Sequence, residues 1–185
     1  MEKIPTLFIR DETSQRKHVR REVNPPCAWV LAGEGVATRK FDGTCVLVRD
    51  AKLYKRREIK PGKTAPPDFE EANLDLLTGK RMGWVPVGTG PEDALHREAW
   101  ATGGPRPDGT YELVGPKVNG NPEGEHTHVL VPHGDEILND APRDFDGLRD
   151  WLLACDYEGI VWHHPDGRRA KLKKRDFAPT KAEST

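Results

Sequence analysis

The sequence predicts an α+β domain in which short antiparallel strands dominate and helices are few. Two observations carry this prediction. The 185 residues include 18 glycines and 16 prolines, which make turns frequent and keep the elements between them short. The clearest helical pattern is confined to one segment, where Phe145, Leu148, Trp151, Leu152 and Cys155 recur at helical spacing.

The first half of the chain is predicted to fold as a strand meander. Its strands flank a Lys-Phe-Asp-Gly turn at residues 40–43 and an Asp-Ala turn at residues 50–51. A segment rich in proline and lysine then indicates a loop, and Gly79 is expected to end a helix. The predicted elements are strands over 36–39, 44–49 and 52–57, a loop over 60–67 and a short helix over 69–77.

The second half begins with a segment in which glycine and proline recur throughout, so we predict a loop there. Strands and one helix follow, and Pro165-Asp166-Gly167 is a strong signal for a hairpin turn. The predicted elements are a loop over 88–109, strands over 111–115 and 128–132, the helix over 144–155 and strands over 159–163 and 168–174.

Length and composition favour one globular domain over 1–185, with hydrophobic residues at 35% of the chain. No apolar run approaches the roughly 18 residues of a membrane helix, and the first residues lack the apolar core of a signal peptide. The cysteines, Cys27, Cys45 and Cys155, are few and far apart, which fits a reducing compartment. We therefore expect a cytoplasmic protein without a membrane partner.

The formal net charge of −1 argues against a simple polycation that coats nucleic acid. Basic residues nevertheless gather in three places, which leaves room for a local anionic ligand. Solvated surfaces are the alternative explanation for each cluster. The clusters are Arg16, Lys17, Arg20 and Arg21; then Lys52, Lys55, Arg56, Arg57, Lys60 and Lys63; then Arg168, Arg169, Lys171, Lys173, Lys174 and Arg175.

Three lysines are candidates for chemistry on phosphate. Lys40 ends a predicted strand just before a tight turn, which would hold it rigidly. A lysine amine is a nucleophile only when neutral, a form that nearby cations favour. Lys171 and Lys173 are two residues apart on a predicted strand, so they project from one face. Two such ammonium groups offset the charge of a phosphate, and more so in a transition state.

Two carboxylates at strand starts, Glu112 and Glu158, are candidates for binding Mg²⁺, which prefers oxygen ligands and bridges phosphate oxygens. Taken alone, each motif has a plain structural explanation. Lys-x-Asp-Gly is a common turn, and Lys-Leu-Lys is a solvated strand edge. The weight of the functional interpretation comes from the whole set occurring in this order on short strands.

In this order the motifs resemble those of the covalent nucleotidyltransferases, which comprise ATP-dependent RNA and DNA ligases and mRNA capping enzymes. A closer likeness is to the single-domain RNA ligase family that includes the vertebrate 5′–3′ RNA ligase. The general motifs are Lys40-Phe41-Asp42-Gly43, Leu53-Tyr54-Lys55-Arg56, Tyr111-Glu112-Leu113-Val114-Gly115, Glu158-Gly159-Ile160-Val161 and Lys171-Leu172-Lys173. The stretches that indicate the closer family are 40–45, 83–87, 119–122, 130–134 and 158–163.

The resemblance implies an RNA ligase that uses ATP and carries AMP on Lys40. It further implies transfer of AMP to an RNA 5′-phosphate and attack by a 3′-OH, with RNA ends as partners and no protein partner predicted. It assigns Arg56 and Glu112 to the ribose and Lys171 and Lys173 to the α-phosphate. The metal, Mg²⁺ or Mn²⁺, is assigned to Glu158 and Glu112.

The implied fold is a nucleotidyltransferase domain, an ATP-grasp-like ligase adenylation domain of antiparallel sheets. No OB domain is expected, because the chain ends soon after Lys173, and this favours an RNA ligase over a DNA ligase or capping enzyme. Two features depart from the family pattern. Arg39 stands where many relatives carry an acidic residue, and the weak match around Arg56 leaves Arg57 as the alternative ribose contact.

Other residues have assigned or open roles. Asp42 and Gly43 are expected to shape the turn, and Phe41 is a candidate for stacking on adenine. His126 and His128 lie two apart, but no third ligand follows at matching spacing, so zinc is not predicted there. The tryptophans Trp84, Trp151 and Trp162 are expected in the core. The N-terminal basic cluster and the basic residues from Lys55 to Lys63 are candidates for contacting the RNA backbone.

Three other functions stay open at this point. One is a guanylyltransferase or DNA ligase of the same superfamily, and another is an enzyme that transfers AMP to an acceptor other than RNA. The third is a non-catalytic module that binds RNA ends.

Overall fold

The computed structural model describes residues 3–13, 18–104 and 106–177. Short 3₁₀ turns over Pro25–Cys27, Pro91–Asp93 and Lys174–Asp176 accompany the regular elements. In chain order the strands and helices are β1 (Phe8–Arg10), β2 (Val19–Val23), α1 (Ala28–Leu31), β3 (Val36–Lys40), β4 (Thr44–Arg49), β5 (Lys52–Ile59), β6 (Glu70–Asp75), β7 (Lys80–Pro86), α2 (Ala94–Ala101), β8 (Gly109–Val114), β9 (Val129–Pro132), α3 (Phe145–Ala154), β10 (Gly159–His163) and β11 (Arg169–Lys173).

The chain divides into two compact units. We call Phe41–His133 the central unit, because it occupies the middle of the sequence. We call Lys3–Lys40 together with Gly134–Thr185 the terminal unit, which is described as far as residue 177. The single domain expected from the length stays a prediction.

The central unit is built on a six-stranded antiparallel sheet with strand order β6-β7-β5-β4-β8-β9. One face of this sheet carries the main core of the unit, where helix α2 packs its buried Ala99. The opposite face carries a smaller apolar cluster of Cys45, Tyr54 and Trp84. The residues of the main core include Val46, Val48, Leu53, Tyr111, Leu113 and Leu130.

The terminal unit contains a three-stranded antiparallel sheet with strand order β11-β10-β3 and a β1-β2 pair. Strand alternation separates the two faces of the larger sheet. Ile160, Trp162, Ala170 and Leu172 are fully buried and form a core with helix α3 and the N-terminal segment. The other face of the sheet therefore presents the alternate residues, and Lys40 lies at its edge.

The strands predicted over 36–39, 44–49, 52–57, 111–115, 128–132, 159–163 and 168–174 are confirmed, with small differences in their bounds, as β3, β4, β5, β8, β9, β10 and β11. The helix predicted over 144–155 is confirmed as α3. Asp144 caps it by accepting a hydrogen bond from the backbone amide of Gly147 at 2.9 Å. The hairpin predicted at residues 165–167 joins β10 to β11.

The short helix predicted over Phe69–Leu77 is wrong, because this segment contains strand β6, which pairs with β7. Its apolar residues do not form a helical face that packs on a core. Leu76 and Leu77 lie in the turn of the hairpin and are 87% and 97% exposed. The pairing partner β7 was not predicted as a strand, so nothing in the local pattern pointed to the hairpin.

The loop predicted over 88–109 is wrong in part, because α2 occupies its middle. Glycine and proline flank this helix and do not interrupt it. Arg97 on α2 donates to the carbonyl oxygens of Gly88 and Gly90 at 2.7 and 2.8 Å, which ties the entry segment to the helix. Elements β1, β2 and α1 were also not predicted.

Within the described residues, no helix is both long enough and apolar enough to cross a membrane.

Candidate active site

Lys40 and Lys173 occupy one row across the three-stranded sheet of the terminal unit. Gly159, the first residue of β10, is paired with Lys40 on β3 and with Lys173 on β11. Residues in register on neighbouring strands project from the same face. The pairing therefore brings together two lysines that are 133 positions apart in the sequence.

The carboxylate of Glu158 bridges the two lysines. Its Oε2 accepts a hydrogen bond from Lys40 Nζ and its Oε1 accepts one from Lys173 Nζ, both at 2.5 Å. The three side chains are only 10 to 21% exposed. Burial raises the pKa of Glu158, but the ammonium groups of Lys40 and Lys173 outweigh it and hold that pKa below its usual value. The carboxylate is therefore ionised at neutral pH.

Lys171 lies on the same face of β11 and is paired with Val161 on β10. Burial, followed by the positive charges of Lys173, Lys40 and Arg10, lowers its pKa from 10.5 to about 8. In the part of the chain that the structure describes, its Nζ has no hydrogen-bond or ion-pair partner. The group therefore combines three lysines with one carboxylate and carries excess positive charge.

Gly159 is required where the three strands meet. A Cβ at this position would lie 2.2 Å from the carbonyl oxygen of Leu172 and 2.8 Å from the Cα of Lys173. No larger residue fits this close approach between β10 and β11. The glycine therefore maintains the strand separation that places Lys173 beside Glu158.

The turn after Lys40 is held by side chains of the central unit. Asn119 Nδ2 donates to Asp42 Oδ1 at 2.9 Å and to the carbonyl oxygen of Gly43 at 3.1 Å. The amide of Asp42 donates to Glu123 Oε1 at 2.7 Å. A Cβ on Gly43 would lie 2.2 Å from the carbonyl oxygen of Leu113. These contacts agree with the turn-shaping role expected of Asp42 and Gly43.

Arg56 and Glu112 project from the same face of the six-stranded sheet. Cys45 pairs with Glu112, and Arg56 pairs with Trp84. Cys45 and Trp84 share the smaller apolar cluster, which identifies the face. Because side chains alternate along β5, Arg57 projects from the opposite face. The register thus favours Arg56 over Arg57 as the partner of Glu112 in any common site.

Glu112 is buried and pairs with a histidine that had no predicted role. Its Oε2 lies 2.8 Å from His133 Nε2, while His133 Nδ1 lies 2.9 Å from Thr110 Oγ1. The stretch around His133 contributed to the family likeness, but no motif assigned the residue a contact. Its position follows from β8–β9 register, which a sequence pattern does not reveal.

The structure places the residues of the basic clusters in different environments. Lys55 forms an ion pair with the buried Asp93 and is therefore not a freely exposed cation. Arg56, Arg57, Lys60 and Lys63 are exposed, as expected for an anion-binding surface. Arg21 pairs with Asp146 at 2.5 Å, and Arg16 and Lys17 lie outside the described residues.

The aromatic and histidine candidates occupy different environments. Trp162 and Trp84 are buried as predicted, and Trp151 is half-buried against the core of the terminal unit. Phe41 is half-buried. His126 is exposed, whereas His128 is buried with its Nδ1 2.9 Å from Glu98 Oε2.

Comparison with known proteins points to one family. The family model described as RNA ligase 1 matches residues 106–180, which include Glu112, Glu158, Lys171 and Lys173. RNA ligase 1 of Rattus norvegicus is 36% identical, and the match covers 93% of this chain and 79% of that protein. RNA ligase 1 of Mus musculus is 26% identical over the same shares. RNA ligase 1 of Danio rerio is 42% identical over 74 residues, 35% of this chain and 23% of that protein.

Proposed function

The chain belongs to the RNA ligase 1 family, and from this premise we propose that it is an ATP-dependent RNA ligase. It would join a 5′-phosphate to a 3′-OH on RNA through an AMP adduct on Lys40. The observation that carries the proposal is the carboxylate of Glu158 between Lys40 and Lys173. Lys171, which has no hydrogen-bond or ion-pair partner among the described residues, lies on the same sheet face. The nucleotidyltransferase fold inferred from the sequence motifs is part of the same proposal.

Lys40 is the proposed nucleophile. Its Nζ attacks the α-phosphorus of ATP, so that an N–P bond forms while the bond to pyrophosphate breaks and pyrophosphate leaves. The ammonium group must first lose a proton. Glu158 Oε2 is within hydrogen-bond distance of that proton and orients the nitrogen.

Lys171 and Lys173 are the proposed contacts for the α-phosphate. Negative charge builds on the phosphate oxygens as the nitrogen attacks, and ammonium groups fixed nearby stabilise that charge. Both lysines project from one strand of a sheet, so they need little rearrangement before the reaction. Loss of one such donor typically slows chemistry by about 10² to 10³.

The adduct would then be used in two further steps. An oxygen of the RNA 5′-phosphate attacks the AMP phosphorus, and the N–P bond to Lys40 breaks. The 3′-OH of the second end next attacks the 5′-phosphate, forms the phosphodiester and releases AMP. Arg56 and Glu112 are the proposed ribose contacts, supported by their common sheet face.

Glu158 has the donor chemistry for Mg²⁺ or Mn²⁺. Its oxygens each accept one lysine hydrogen bond, and a carboxylate oxygen has a second lone pair for a metal. The ion, when bound, offsets phosphate charge. Glu112, the other predicted metal ligand, is paired with His133, and its part in metal binding is taken up in the next subsection.

The test uses ATP labelled at the α-phosphate, with Mg²⁺ and without RNA, followed by a denaturing gel. Wild type is compared with Lys40→Arg, which keeps the charge beside Glu158, and with Lys60→Ala, an exposed control. We expect label on the wild type and the control but not on Lys40→Arg. Adding 5′-phosphorylated RNA should then move the label to RNA and produce sealed product.

Other outcomes would overturn the proposal in distinct ways. Absence of an adduct with both ATP and GTP would indicate a module that binds RNA ends without catalysis. An adduct formed preferentially from GTP would indicate a guanylyltransferase. An AMP adduct without RNA sealing would indicate another acceptor.

A further inference from the structure

Three different metal-binding atoms meet in the central unit, on the sheet face that carries Cys45 and Trp84. They are the Sγ of Cys45, a carboxylate oxygen of Glu112 and a ring nitrogen of His133, and all lie within 4.8 Å of one another. Cys45 and Glu112 are paired across β4 and β8. His133 follows β9, and its amide donates to the carbonyl oxygen of Thr110 at 3.1 Å. The group is thus fixed by three neighbouring strands.

The orientation of the histidine ring matches that of a metal ligand. Its Nε2 faces Glu112 at 2.8 Å, while its Nδ1 is held by Thr110 Oγ1 at 2.9 Å. Metal-binding histidines usually have their second ring nitrogen hydrogen-bonded in this way, which fixes the tautomer and the ring. Thr110 therefore acts as an outer partner that leaves Nε2 directed at the group.

The three side chains also have the burial expected of a built site. Cys45 and Glu112 are each 9% exposed, whereas the His133 side chain is 27% exposed. The partial exposure of His133 provides a route for an ion and room for a water ligand. An ionised Glu112 in this position gains from a compensating positive charge.

We propose that Cys45, Glu112 and His133 bind a zinc-class divalent cation, with water as the fourth ligand. A thiolate and an imidazole favour Zn²⁺ over Mg²⁺, which prefers oxygen ligands. On binding, the thiol of Cys45 releases its proton to solvent as the S–Zn bond forms. The thiolate, the carboxylate and the dipositive ion then sum to zero charge with neutral His133.

Little movement is needed to admit the ion. Zinc with ligands at about 2.0 to 2.3 Å in tetrahedral geometry separates its ligand atoms by roughly 3.3 to 3.7 Å. The distance between His133 Nε2 and Glu112 Oε2, which is 2.8 Å, would lengthen by about half an ångström. The distances from Cys45 Sγ to these two side chains are at most 4.8 Å and would adjust to the same separation. This site contains none of the three lysines but shares Glu112 with the proposed ribose contacts. Metal binding is therefore measured without ATP, which keeps the test separate from that of the ligase activity.

The primary test is titration of metal-free protein with Co²⁺ and Zn²⁺. Co²⁺ bound to a thiolate gives a near-ultraviolet charge-transfer band, and calorimetry gives the zinc stoichiometry. We expect one equivalent and a band in the wild type, with no band in Cys45→Ser. Cys155→Ser is the matched control and should keep the band, since Cys155 Sγ contacts the carbonyl oxygen of Leu152 elsewhere.

Two further variants keep the test independent of how well Cys45→Ser folds. His133→Gln should remove most zinc affinity, and Thr110→Val, which leaves all three ligands in place, should weaken zinc binding by about 10 to 100-fold. Zinc should also raise the unfolding temperature of the wild type but not of His133→Gln. The proposal is overturned if the wild type binds no stoichiometric zinc, or if the band survives Cys45→Ser and disappears in Cys155→Ser.

Discussion

Replacing Lys171 by methionine should stabilise the protein at pH 7 while impairing it as a ligase. The pKa of Lys171 falls from 10.5 to about 8, so keeping it charged in the folded state costs about 3 kcal/mol relative to the unfolded chain. Partial exposure of the side chain screens part of this cost, and we expect about 2 kcal/mol. Methionine has similar length and removes the charge.

The effect of Lys171 has a definite dependence on pH. Between pH 8 and 10.5 the unfolded chain holds a proton on this lysine that the folded protein has lost. Stability of the wild type therefore rises with pH in this window. The advantage of Lys171→Met should be full at pH 7 and should shrink toward zero near pH 10.5.

Urea denaturation of both proteins at pH 7 and pH 10 measures this difference. Burial raises the pKa of Cys27 from 9.0 to about 11, so this thiol lowers the stability of the folded protein as the pH rises through that range. Both proteins contain Cys27, so its contribution cancels in the difference between them. Lys60→Met, at an exposed position, controls for the loss of a charge. If Lys171→Met is less stable than the wild type at pH 7, or if its advantage is the same at both pH values, the lysine is not a desolvated cation. AMP adduct formation should fall by about 10² to 10³ in the same variant.

Two other predictions concern the two sheets. Arg56→Ala should raise the ATP concentration for half-maximal adduct formation by about 10-fold or more, since hydrogen bonds to charged groups contribute about 1.5 to 3 kcal/mol. Arg57→Ala, on the opposite face of β5, should leave that concentration unchanged. Equal effects of the two substitutions would contradict the assignment of Arg56 to the face of Glu112. Gly159→Ala should lower the free energy of unfolding by about 2 kcal/mol, because its Cβ would clash with a backbone oxygen at 2.2 Å. Gly109→Ala, whose Cβ would meet nothing closer than 3.9 Å, is the control in urea denaturation, and equal loss in both would show that the close approach at Gly159 is not limiting.

The predicted strands succeeded where local pattern and turn chemistry agreed. β11 alternates polar and apolar residues, and β10 is a short run rich in Ile, Val and Trp. Both flank Pro165-Asp166-Gly167, so composition, turn and pairing all indicate the same hairpin. The helix predicted over 69–77 is wrong because Gly79, interpreted as the end of a helix, lies in a hairpin turn in which Leu76 and Leu77 are exposed. The strand in this segment is determined by pairing with β7, which is a tertiary effect.

The candidate site was also only partly predictable from the sequence. The lysines and Glu158 could be chosen from the sequence, since residue type and motif order mark them. Their arrangement could not, because the register that sets Gly159 between Lys40 and Lys173 joins three separated segments. The grouping of Cys45 with His133 likewise depends on strand pairing and leaves no short spacing to recognise.

Glu158 explains how three lysines coexist in a half-buried site. A second cation beside the first would be strongly unfavourable without a carboxylate, and Glu158 offsets the charge of Lys40 and Lys173 by accepting from both. Among the described residues Lys171 has no hydrogen-bond or ion-pair partner, and burial, followed by the charges of Lys173 and Lys40, lowers its pKa. Such a residual charge destabilises the folded protein and would be relieved by a bound phosphate. The excess positive charge that helps to lower the pKa of Lys171 also attracts an anion, so phosphate binding should raise this pKa.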